Sequence, residues 1–175
     1  MALDGANATA HACLSMALFP RGDWRGALAE AESALALSPN LASGYWARGR
    51  TRVFCGQPQE GLKDLQTSLR LEPRGSGLAP RLLHVSVGYH LSRSYDDSVE
   101  AARRLIRSFP ELPAAHRNLA AALGQPGHVA QEALDKAITL APAAVDMFVR
   151  NRVPWHRPQD HVHLLDGLRI AGWRE

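Results

Sequence analysis

The feature that most limits what this chain can become is that it repeats itself. The segment Ala27-Leu28-Ala29-Glu30-Ala31-Glu32-Ser33-Ala34-Leu35-Ala36-Leu37-Ser38-Pro39 returns as Gly61-Leu62-Lys63-Asp64-Leu65-Gln66-Thr67-Ser68-Leu69-Arg70-Leu71-Glu72-Pro73, displaced by 34 residues, and two further echoes close at Pro110 and Pro142. A period of this size marks a stack of like supersecondary units, because one such unit cannot bury its apolar face alone. The closing prolines are 34, 37 and 32 residues apart. The differences fall near Gly75-Ser76-Gly77 and Gln125-Pro126-Gly127, where loops absorb them at small entropic cost.

Each unit reads as two helices. A closing proline cannot continue a helix and biases its predecessor away from helical geometry, so it ends the second helix. Turns inside the units fall at Arg21-Gly22-Asp23, Cys55-Gly56-Gln57-Pro58, Ser92-Arg93-Ser94-Tyr95-Asp96 and Gly124-Gln125-Pro126-Gly127, which supply turn geometry or helix caps. Twelve residues before each closing proline stands Ala27, Gly61, Ser98 or Ala130, and five before it stand Ala34, Ser68, Leu105 and Ala137. Small side chains at such fixed sites, Leu105 excepted, let two backbones approach. Only 6% of the 175 residues are aromatic while Ala and Leu dominate, which suits close-packed helices better than sheets. The expectation is one all-α domain with eight helices in four antiparallel pairs.

Tyr45, Gly49, Gly61, Ser68 and Pro73 of the second unit, with Tyr89 in the third, make the chain resemble the tetratricopeptide repeat family. The resemblance implies a right-handed superhelix of about four units, at about 6–40, 41–74, 78–111 and 112–142, together spanning 1–142. The first and fourth units lack the aromatic and the Gly, as terminal repeats commonly do. Residues 143–175 form a linker and a capping helix: Pro158 suits a first helical position, Asp160 complements the helix dipole, and Leu164, Leu165, Leu168 and Ile170 supply an apolar stripe. Pro154, Arg157, Pro158, Asp160, Gly167, Leu168, Arg169, Ala171 and Gly172 resemble the C-terminus of bacterial class III adenylate or guanylate cyclases that bear such repeats. That likeness implies a regulatory region whose catalytic domain lies outside this chain, since nothing here resembles the cyclase catalytic sheet or its paired metal-binding Asp residues.

Chemistry is sparse. His156, Asp160, His161 and His163 are close enough in sequence to suggest a metal site, but His161 and His163 point about 200° apart on a helix. They read as solvated histidines around a helix start. Asp96-Asp97 beside Tyr95 read as helix-start acids rather than an acid-base pair. Cys13 and Cys55 lack ligand spacing and read as small buried hydrophobes in a reducing compartment. No phosphate loop is present, and no cofactor or enzymatic activity is expected. The formal charge of +3 is scattered, which argues against a nucleic-acid partner. Absence of a signal-like start or an apolar run of about 20 residues predicts a cytoplasmic protein with no membrane partner.

What remains is a surface. The family resemblance places first helices along a concave groove, and the faces opposite the packing residues put Met16, Trp46, Arg50, Phe54, Val87, His90 and Arg117 there. Trp46 and Phe54 either anchor a peptide or protein partner, or a second copy of the chain, with Arg50 and Arg117 meeting an acidic group, or simply fill contacts between the repeat units. Ala12 and Met16 stand where chaperone-tail clamps need Asn and Lys, which disfavours that partner.

Overall fold

The computed structural model describes residues 2–125, 130–142 and 155–174, with side chains from residue 7 onward. Nine α-helices occur among the described residues: α1 (Ala2–Leu18), α2 (Trp24–Leu37), α3 (Ala42–Phe54), α4 (Pro58–Leu71), α5 (Leu78–Leu91), α6 (Tyr95–Ser108), α7 (Pro113–Gly124), α8 (Gln131–Leu140) and α9 (Pro158–Ile170). No strand occurs among them, so the fold is all-α. Pro126, Gly127, the apolar stretch 143–149 and the segment 150–154 lie outside the described residues.

Helix ends follow local chemistry. Helices α2, α4, α6 and α8 stop at Leu37, Leu71, Ser108 and Leu140, each two residues ahead of a closing proline. Gly22 and Gly56 end the first helices of their pairs with φ of 78° and 84°, a region open to glycine at no steric cost. Arg93 holds the corresponding place after α5 at φ 62°, where a side chain costs about 1–2 kcal/mol. Asp23 caps α2, its carboxylate accepting from the Gly26 amide at 2.9 Å. Asp96 and Asp97 sit exposed in the first turn of α6, where they oppose the helix dipole.

The chain divides into two compact units, Met1–Arg81 and Leu82–Glu175, the division falling in the first turn of α5. In the first unit, α1 packs on α2 and α3 on α4, while α3 also meets α1 and α2. Both hairpins cross at a pair of small residues twelve positions apart. Ser15 Oγ donates to the Ala27 carbonyl at 2.6 Å. Gly49 and Gly61 bring α3 and α4 so close that a Cβ on Gly61 would lie 2.6 Å from the Gly49 carbonyl oxygen. Asp64 of α4 locks the same pair, accepting from Arg48 at 2.9 and 2.7 Å and from Arg52 at 2.9 Å.

The second unit uses the same device once more. Ser86 of α5 and Ser98 of α6 exchange bonds, Ser98 Oγ donating to the Ser86 carbonyl at 2.9 Å and Ser86 Oγ to the Ser98 carbonyl at 3.3 Å. Ala27, Gly61, Ser98 and Ala130, the small sites read from the repeat, are all buried. Helix α7 contacts α6, α8 and α9. Its crossing with α9 is backbone on backbone: a Cβ on Gly124 would run into the Gly167 carbonyl, and one on Gly167 into that of Ala121. Around it Ala120, Ala121, Ala130, Leu134, Leu164, Leu165, Leu168 and Ala171 form a buried cluster.

Two expectations about buried faces are corrected. Ile170 is not part of the inward stripe of α9 but 53% exposed; it stands two residues, or about 200° of helix, from Leu168, and Ala171 takes the inward place. Cys13 is exposed and Cys55 half-buried, because α1 buries Ala8, Ala12 and Ser15 and Cys13 falls one position off that stripe. Burial pushes the Cys55 thiol pKa up, away from reactivity.

Candidate functional site

Helix α3 carries three arginines at alternate positions, and the geometry treats them differently. Arg48 and Arg52 are one turn apart and share the buried carboxylate of Asp64. Arg50, about 200° away from each, turns toward α1. Its guanidinium lies 4.0 Å from the Phe19 ring centroid, and Nη2 reaches the Met16 carbonyl only at 3.4 Å. Its Nε is buried with no hydrogen-bond partner, and no carboxylate among the described residues forms an ion pair with it. Burial alone lowers its pKa to about 10, so it stays cationic at neutral pH.

Aromatic rings build the seat of this cation. Phe19, in a 3-10 turn after α1, meets Trp24 edge-on at 4.9 Å and Phe54 at 5.3 Å. Phe54 itself is 6% exposed, so it holds Phe19 in place and offers little surface of its own. Trp46, one turn before Arg50, is half-buried, with the Arg81 guanidinium 5.9 Å from its ring. Arg81 is held in turn by the Glu72 carbonyl, at 2.7 Å, and the Glu72 carboxylate. Met16 and Arg50 are also half-buried. The first unit therefore gathers Met16, Trp46 and Arg50 at partly open positions, with Phe54 beneath.

The remaining groove residues, Val87, His90 and Arg117, lie in the second unit and are 4%, 2% and 9% exposed. Side chains that deeply covered present almost nothing to a ligand. Burial lowers the Arg117 pKa to about 10. His90 instead faces the ring of His163 on α9 at 5.0 Å. The tail histidines are corrected with it: only His156 is exposed, His161 is buried and stacks on Trp155 at 5.4 Å, and His163 is half-buried against Tyr95. Among the described residues no group of three or more His, Cys, Asp or Glu side chains is placed to hold a metal ion.

The repeat reading did not anticipate a groove of about 790 Å³ in the second unit, where Ile106, Leu119, Leu123 and Ala133 of α6, α7 and α8 lie beside the exposed Arg103 and Lys136. Its walls come from three helices, so no local motif announces it. No helix among the described residues is long and apolar enough to cross a membrane.

No protein-family model matches the sequence, and no curated protein matches it. Solved structures do. PilF of Pseudomonas aeruginosa superposes with a TM-score of 0.70 at 16% identity, covering 98% of this chain and 79% of its own. TTC0263, a thermophilic TPR protein in Thermus thermophilus, gives 0.69 at 16% identity, covering 94% and 91%. YrrB, described as a TPR protein with an unusual peptide-binding site, gives 0.62 at 16% identity, covering 92% and 82%. At these identities the likeness is one of fold, and the fold of this chain is the helical repeat of tetratricopeptide structures.

Proposed function

We propose that this chain is a noncatalytic interaction module that receives an extended peptide or a helix of a partner protein on the α3 face of its first unit. One observation carries the reading: Arg50 is a desolvated cation with no acid of its own, stacked on Phe19 and one turn from the half-buried ring of Trp46. A buried charge lacking a counter-ion is costly unless a partner supplies one. An acidic side chain or chain terminus would complete it, while Trp46 and Met16 contribute apolar contact and Phe54 keeps the seat rigid. Val87, His90 and Arg117 fit this reading as support within the second unit. The peptide-binding site named for YrrB lends the fold a precedent.

The test is an array of immobilised peptides in matched pairs, acidic and with Glu→Gln and Asp→Asn throughout, probed with wild type, Arg50→Ala and Trp46→Ala. Arg50→Ala is expected to erase the preference for acidic members, weakening them about tenfold or more, as loss of a charged hydrogen bond does. Trp46→Ala is expected to weaken both members of each pair. Unchanged binding by both variants removes this face from consideration.

A second reading is favoured by the tail residues Arg157, Pro158, Asp160, Gly167, Leu168, Arg169, Ala171 and Gly172: that the module regulates a class III cyclase domain encoded ahead of it. The reading frame upstream of Met1 decides that point. The absence of cyclase-coding sequence there leaves the stand-alone module.

A further inference from the structure

Two histidines meet beneath α9, in the second unit. His90, near the end of α5, is 2% exposed and neither ring nitrogen has a hydrogen-bond partner. The ring of His163, brought in by α9, lies over it at 5.0 Å with a 40° tilt, and Tyr95 closes on His90 edge-on at 5.7 Å. His163 is held by its neighbours. Its Nε2 is 3.1 Å from the Tyr95 hydroxyl, and the Gln125 side-chain amide of the α7 terminus donates to its carbonyl at 2.7 Å. The charged groups facing this pair are Arg93 from the turn after α5 and Asp160 and Asp166 from α9 itself.

We propose that the His90–His163 pair is a proton-sensitive latch that holds α9 on the second unit at neutral pH and releases it in acid. A proton on His90 would create a buried cation against a second imidazole and near the Arg93 guanidinium, with only the His163 backbone to answer it. Nothing on α5 or α6 answers that charge, and Asp160 and Asp166 lie on the His163 side. Lifting α9 is the direct way to give His90 water, because it takes the His163 ring off it. Burial first, then His163, lowers the His90 pKa to about 3, and burial first, then Arg93, lowers that of His163.

With α9 released, both imidazoles return toward the ordinary value of about 6.5, so the released form binds more protons between that value and the lowered ones. Docking is therefore complete above about pH 6.5 and weakens as pH falls, by up to about tenfold per pH unit for each proton taken up. Asp160 has the opposite sign, because burial pushes its carboxyl up and protonation relieves that burial. The informative window is accordingly about pH 7 to about pH 5, above the ordinary carboxylate range. Release would bare Ala120, Ala121 and Leu134, now covered by Leu164, Leu165 and Leu168, and so turn an internal face outward.

Hydrogen exchange of the full chain, corrected for the intrinsic pH dependence of amide exchange, reads this directly. Protection in α9 is expected to fall about tenfold or more from about pH 7 to about pH 5, while protection in α1 to α4 stays level. His90→Leu removes the proton site without removing a hydrogen bond, and His163→Gln removes the second while leaving an amide for Tyr95. Each is expected to flatten the α9 profile, with circular dichroism confirming that the helices persist. If His90→Leu fails to fold, His163→Gln alone decides. A level α9 profile in the wild type, or an equal fall in the wild type and the folded variants, overturns the proposal.

Discussion

Replacing Gly61 by Ala tests the crossing of α3 and α4 where it is tightest. The new methyl carbon would stand 2.6 Å from the Gly49 carbonyl oxygen, 2.7 Å from Val53 Cγ2 and 2.8 Å from the Val53 amide nitrogen. Comfortable contact with such atoms needs roughly 3.5 Å, so the two helices must part by somewhat less than 1 Å. Two of the three obstructing atoms are backbone, which cannot swing aside as a side chain would. Overpacking of this kind costs about 1–3 kcal/mol, and rigid obstruction places it at the upper end. Against that, Ala is favoured over Gly inside a helix by up to about 1 kcal/mol. The net expectation is a loss of about 2 kcal/mol from the first unit. With Trp155→Phe and Trp173→Phe as background, Trp24 and Trp46 are the remaining tryptophans and both lie in that unit. Urea unfolding followed by their fluorescence should show a midpoint about 1 M lower, for a slope of about 2 kcal/mol per molar. An unchanged or raised midpoint, the outcome helix propensity alone gives, would refute the backbone contact.

Two further substitutions follow from the same geometry. Arg93→Gly should stabilise the second unit by about 1 kcal/mol by removing a side chain from the left-handed region, read as a raised thermal midpoint; a fall would mean that Arg93 contributes through its charge. Asp64→Ala should destabilise the first unit by about 3 kcal/mol or more, because it strands two guanidinium groups that share one carboxylate, and breaking a buried pair from one side is costly. Asp64→Ala in an Arg48→Met, Arg52→Met background should recover part of that loss in the same urea titration, and no recovery would show that Asp64 acts by packing instead.

How far the sequence could be read depended on whether a property was local. The helix ends were legible because proline, glycine and capping residues act within one turn: Pro39, Pro73, Pro110 and Pro142 each stand two residues past a helix end. The small sites Ala27, Gly61, Ser98 and Ala130 were legible through their period. Their partners Ser15 and Ser86 lie the same interval of twelve residues away, on the first helices. The surface was read less well. Phe54, Val87, His90 and Arg117 occupy first helices, as the repeat suggested, yet how much of each is covered depends on packing brought from elsewhere in the chain, which periodicity does not encode. His163 illustrates the limit: its partners Tyr95 and Gln125 are 68 and 38 positions away. Nothing in the spacing of the tail histidines points to either.

The crossings also bear on the order in which the chain acquires structure. Ser15–Ala27, Gly49–Gly61 and Ser86–Ser98 each close a loop of about a dozen residues, whereas α9 meets α7 at Gly124 and Gly167, a separation of 43. Loop-closure entropy makes the longer contact about 1 kcal/mol harder to form, and local contacts of this kind favour rapid folding. The hairpins can thus assemble independently and early, and the terminal helix arrives last, onto a surface that is already built.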